Sequence, residues 1–260
     1  MRNKFKKLKK LATKAHRRKE LCLNKSFRQY SIVASPNCLL LSLWLILIFN
    51  AIPACAMSEI ESIIKVNLCA DCHSFDQNKL KSGKKRAPDL FFAGDKLQEG
   101  WLVDFLISPE IIRPSGYITD PGYLKGKPEL KSHVRLTKQD ALLMSKYLLT
   151  LKSGFLEQVK IDKQMQKARL FRAKNLFERQ YGCIACHKAQ NLMGVVKGGV
   201  SGPILSNAGN RLRGQWIFNM LKNPALFEKK RRMPVYKLSD NENMMITSYL
   251  LSQLKENERK

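Results

Sequence analysis

The residues with the most chemistry to offer are the cysteines and histidines, and they are ordered. The chain of 260 residues has seven Cys and four His. Two motifs of one spacing, Cys69-Ala70-Asp71-Cys72-His73 and Cys183-Ile184-Ala185-Cys186-His187, take four of the Cys and two of the His. Paired thiols followed at once by an imidazole have the spacing that attaches a c-type haem: the sulfurs bond its vinyl groups and the His ligates the iron. On this basis Cys69, Cys72, Cys183 and Cys186 are candidate attachment residues, and His73 and His187 candidate iron ligands. Two covalently bound haem c groups are the expected cofactors. Structural zinc and a disulfide within each motif remain alternatives. A thioredoxin-like redox pair would need a βαβ pattern, which the sequence lacks.

Cys22, Cys38 and Cys55 lie in a different kind of segment. Residues 1–38 hold 12 Lys and Arg against one acid, Glu20. An apolar run of 11 residues, Leu39–Phe49, comes next, then Pro53 and the small-residue site Ala54-Cys55-Ala56. A spanning helix needs roughly 18 or more such residues, whereas basic, apolar and then A-x-A is the layout of an export signal. Residues 1–56 are therefore expected to be a signal peptide or an N-terminal membrane anchor. Acylation of Cys55 and a basic tail for RNA or lipid are alternatives. The whole chain has a net charge of +26, but without these residues 35 basic and 20 acidic groups leave +15. Much of the basicity is thus targeting, and no nucleic-acid partner is expected. The location implied is the periplasm or the outer face of the cytoplasmic membrane.

The motifs are 114 residues apart and belong to a repeat. Pro88 matches Pro203, Trp101 matches Trp216 and Pro109 matches Pro224 at an offset of 115. Leu136 with Leu238 and Tyr147 with Tyr249 match at 102, so the first copy has 13 extra residues between Pro109 and Leu136. The apolar spacing predicts helices over Ser58–Val66, Gln98–Ile107, Thr137–Leu151, Asp162–Tyr181, Arg213–Leu221 and Ser239–Leu254. No strand is evident. Trp101 and Trp216 read as core residues. Residues 57–154 and 155–260 are the two expected domains.

Taken together, the chain resembles a dihaem class I cytochrome c. The resemblance covers everything after the N-terminal segment. It rests on the two attachment motifs and on Gly182, Gly202-Pro203-x-Leu205 and Arg232-Met233-Pro234. It implies an all-α fold of two tandem class I cytochrome c domains, each wrapped around a covalently attached haem. It also implies that Met233, 46 residues beyond His187, is the sixth ligand of the second iron. The carbonyls of Pro88 and Pro203 would accept the Nδ1–H of His73 and His187.

The first copy departs from this pattern. At offset 102 Met233 aligns with Lys131, and no Met-Pro occurs in that copy. The loop Glu110–Val134 is instead rich in turn residues. It holds His133, the one imidazole beyond residue 56 outside the motifs. His133 is a candidate sixth ligand for the first iron, with a surface role, Lys131, Met144 and an open iron as alternatives.

These readings point to an exported electron carrier with no catalytic residue. It would pass single electrons between redox partner proteins, free or as the haem subunit of a dehydrogenase or reductase. A dihaem enzyme, peroxidase-like or a sulfur-compound dehydrogenase with an open or labile first haem, is the alternative. The clusters Lys81-Ser82-Gly83-Lys84-Lys85-Arg86 and Lys229-Lys230-Arg231-Arg232 suit an acidic partner, with simple solvated lysine as the other reading. Intact mass measurement of the exported protein should show two covalent haem adducts. Replacing Cys183 and Cys186 together by Ala should remove one of them, and a mass without adducts would overturn the reading.

Overall fold

The computed structural model describes residues 54–79, 87–117, 123, 132–162, 165–191, 193–228 and 233–254. The basic N-terminal stretch and its apolar run, both basic clusters and Lys131 lie outside these residues. No helix among the described residues is long and apolar enough to cross a membrane. By compactness the chain divides into two units, Met1–Asp71 and Cys72–Lys260. In the first, helix α1 (Ala54–Val66) buries Ile60 and Ile63, which lie on one face three residues apart. The one-turn helix α2 (Cys69–Cys72) carries both Cys of the first motif.

In the second unit the sequence repeat becomes a structural one. Helices α3 (Ala93–Lys96), α4 (Glu99–Ile107) and α5 (Lys138–Thr150) follow the first motif. The second motif is preceded by α6 (Lys167–Asn175) and followed by α7 (Ala208–Arg211), α8 (Gly214–Lys222) and α9 (Asp240–Leu251). The same backbone bonds recur in both copies. Gly94 N–H donates to Leu151 O at 2.8 Å, and its counterpart Gly209 N–H to Gln253 O at 2.9 Å. Thr137 caps α5 by accepting from Asp140 N–H, and Ser239 caps α9 in a reciprocal capping box with Glu242.

Two expectations need correction. The helix expected over Asp162–Tyr181 starts at Lys167 and opens into a π turn over Leu176–Gln180. Leu176 and Phe177 are adjacent yet both buried. The wider turn lets two successive side chains enter the core, where Phe177 meets Tyr249 at 5.4 Å between ring centroids. The chain also has strands: β1 (Lys188–Gln190) pairs antiparallel with β2 (Val196–Gly198). Three residues per strand are too few for a period-two pattern to be read from sequence.

Within the second unit the copies meet through a self-complementary contact. Leu97 and Leu212, at offset 115, form an antiparallel bridge. Gln98 N–H donates to Arg211 O at 3.0 Å, and Arg213 N–H to Lys96 O at 2.9 Å. Each bond maps onto the other under the repeat, as in an isologous interface. The side chains follow suit: Lys96 Nζ lies 4.8 Å from the Trp216 ring centroid, and the Arg211 guanidinium 5.9 Å from that of Trp101. Each copy lends a cation to the other's indole. Phe227 fills the seam, with ring centroids 5.5 Å from both Phe92 and Trp216. Removing the α9 capping box by Ser239→Ala should cost about 1 kcal/mol, read as a lower urea midpoint with an unchanged slope.

Candidate haem sites

The two motifs are presented by equivalent turns. Gly182 has φ 60° and leads into the short 3-10 turn Cys183–Ala185, with Ala185 N–H donating to Gly182 O at 2.9 Å. Leu68 occupies the equivalent position with φ 54°, and Asp71 N–H donates to its carbonyl at 3.0 Å. Glycine adopts this left-handed conformation freely, whereas a side chain there costs about 1–2 kcal/mol. The first copy carries that cost to present its cysteines on the same turn. Of the four motif Cys, Cys183 is buried, Cys69 half-buried, and Cys72 and Cys186 are exposed. Burial pushes the Cys183 thiol up to about 11, with the neighbouring Cys186 adding to it and a backbone hydrogen bond opposing. A redox nucleophile needs the opposite shift.

Each motif His is fixed by a proline carbonyl. His73 Nδ1 lies 2.7 Å from Pro88 O, and His187 Nδ1 lies 2.8 Å from Pro203 O. A carbonyl can only accept, so Nδ1 donates and Nε2 keeps its lone pair for a metal. The loops that carry these prolines are tied back in the same way in both copies: Leu90 N–H donates to Ser74 O and Leu205 N–H to Lys188 O, each at 2.7 Å. Burial lowers His73 to about 4; the Pro88 bond and Asp89 oppose this, while His133 and Lys96 add to it. His187 is lowered chiefly by burial, opposed by Pro203 and helped by Arg113 and Arg211. Both rings are therefore neutral near pH 7, the form that binds iron. The folded value for His73 lies below the 6.5 of an unfolded His. Its contribution to stability is thus complete above pH about 6.5 and is lost as the pH falls toward 4.

Space around the second ring is tight. A Cβ on Gly202 would lie 2.5 Å from His187 Cε1 and 2.7 Å from Nδ1, so only glycine fits beside the ring.

The other candidate ligands are unevenly placed. His133 is half-buried, and its Nδ1 donates to Val134 O at 2.8 Å. Its ring centroid is 6.0 Å from that of His73, with 62° between the planes. The two rings meet edge to face, and among the described residues His133 is the nearest further imidazole to the first motif. Phe105 stands 5.2 Å from the His133 ring and stacks on Trp101 at 4.8 Å. Met144 is 3% exposed inside α5 and belongs to the core. Met233 is half-buried at the head of the segment that leads into α9. Three residues on, Tyr236 packs edge-on to Tyr181 at 5.6 Å, and burial, with the Cys183 and Cys186 thiols adding, raises its phenol above the usual value.

Three side chains of the site escaped the sequence reading. Arg211 is buried, and Glu110 accepts from Trp101 Nε1 at 3.2 Å and from Asn207 Nδ2 at 2.9 Å. Arg113, from the other copy, pairs with Glu228 at 3.7 Å, and its charge adds to the lowering of His187. The offset of 115 pairs Lys96 with Arg211, whereas Glu110 and Arg113 lie in the loop where the offset changes. Burial lowers Arg211 to about 10, with Glu110 opposing. Arg211 Nε and Trp216 Nε1 are buried donors with no hydrogen-bond partner in the structure. Such donors suit a carboxylate-bearing ligand.

Among the described residues no three His, Cys, Asp or Glu side chains converge to hold a metal ion. A porphyrin brings four nitrogens of its own and needs only one or two ligands from the protein. Neutral imidazoles, paired motif cysteines and the buried Arg211 Nε and Trp216 Nε1 donors together form a set that fits a haem. No protein-family model, curated protein or solved structure matches the chain. Gly202→Ala should displace the His187 ring and break its bond to Pro203, at a cost of about 1–3 kcal/mol. The check is a urea midpoint beside that of the parent protein.

Proposed function

We propose that this protein is an exported dihaem c-type cytochrome that carries single electrons between redox partners, with one haem in each copy of the repeat. The observation that carries the reading is the recurrence of the His Nδ1 to Pro carbonyl bond at the two equivalent motifs. That bond sets the tautomer, aims Nε2 and raises the basicity of the imidazole. When bound, haem supplies a one-electron redox centre whose potential depends on its axial ligands and surroundings.

Cys69 and Cys72 would hold the first haem and Cys183 and Cys186 the second, with His73 and His187 as proximal ligands. For the first sixth ligand we take His133, on its 6.0 Å spacing from His73. For the second we take Met233, which stands before α9 as in the family resembled. A His/His site lies lower in potential than a His/Met site, so the electron settles in the second copy. Arg211 Nε and Trp216 Nε1 would meet haem carboxylates.

Optical and EPR redox titration of the exported protein tests the reading. Two low-spin haems of unequal potential are expected. Met233→Ala should remove the weak thioether–iron band and lower one potential alone. His133→Ala should open the other iron to carbon monoxide. A first haem that is already high-spin and binds carbon monoxide or peroxide in the unmutated protein would put the enzyme reading ahead.

A further inference from the structure

The loop enlarged by 13 residues in the first copy begins at Glu110, and its first residues are built into the second site. Ile112 O accepts from Ile204 N–H at 2.8 Å. Ile204 directly follows Pro203, whose carbonyl holds His187 at 2.8 Å. One peptide unit therefore separates the loop of one copy from the anchor of the other's imidazole.

Arg113 comes next in that loop. Its Nη2 is 3.7 Å from Glu228 Oε2, and its guanidinium lies 4.6 Å from the Tyr117 ring centroid. The Arg113 and Glu228 side chains are 29% and 20% exposed, so water screens the pair only in part. The Arg113 and Arg211 charges add to the burial that lowers His187. The His73 ring instead feels Asp89 as well as Lys96 and His133. Reduction of an iron adds one negative charge to its site. A half-buried cation nearby stabilises the reduced form, because the interaction grows as the effective dielectric constant falls.

We infer that Arg113 is a tuning residue donated by the first copy to the second site, where it raises the reduction potential at His187 and draws the electron there. This inference rests on the dihaem reading. Electrostatics between copies thereby adds to the ligand difference within them. The direction of internal electron flow then depends on a side chain that touches neither iron.

Redox titration of the full holoprotein, with the two haems followed separately by EPR, tests the inference on Arg113→Gln, Arg113→Lys and Glu228→Gln. Arg113→Gln should lower the potential of the His187 site and leave that of the His73 site unchanged. The change in electron distribution between the sites should be about tenfold, or about 59 mV for one electron. Arg113→Lys should keep the parental value, and Glu228→Gln should raise it. Parental potentials in Arg113→Gln, equal shifts at both sites, or a shift in Arg113→Lys as large as that in Arg113→Gln would overturn the inference and leave the dihaem reading standing. If Arg113→Gln does not fold, an unmoved potential in Glu228→Gln overturns it. A parent protein without covalent haem would overturn both.

Discussion

An imidazole largely withdrawn from water has to do something with its protons, and the rest of the structure is organised around where they go. His73 and His187 each give the Nδ1 proton to a proline carbonyl. Their burial keeps them from taking a second proton near neutral pH. Proline suits this acceptor position: its φ is fixed and it has no N–H of its own to place. The loop around each proline must then be held, which the Leu90–Ser74 and Leu205–Lys188 bonds do. A glycine at 202 leaves room for the ring. The left-handed turn before each first cysteine, strained at Leu68 and free at Gly182, delivers the thiols beside these rings in the chain.

The contact between copies imposes a second constraint. The bridge at Leu97 and Leu212 and the exchanged cation–indole pairs obey the repeat. The charges beside the sites do not. Glu110 and Arg113 belong to the loop that is 13 residues longer in the first copy. Self-complementarity holds the backbone together while side chains at equivalent positions diverge. A duplicated scaffold of this kind permits two chemically unlike sites, because a hydrogen-bonded bridge between main chains is indifferent to side-chain identity.

The sequence by itself determined the local facts. Residue type and spacing identified the two Cys-x-x-Cys-His motifs and the repeat with its 13-residue insertion, while the pairing of Pro88 and Pro203 with the histidines came from the family resemblance. Helix ends were legible where a cap marks them, at Thr137 and Ser239. The start of α6 was not, since no capping side chain marks Gln166, and the π turn beyond it answers to core packing of Leu176 and Phe177. Only the tertiary structure set His133 at 6.0 Å from His73, because a loop's turn chemistry fixes neither its path nor its reach. Only the tertiary structure put Arg211 under Trp101 and the Ile112–Arg113 segment beside Pro203. Those contacts join residues about 90 to 110 positions apart. Periodicity and propensity report on neighbours along the chain. Burial and charge depend on which distant segments the fold brings together.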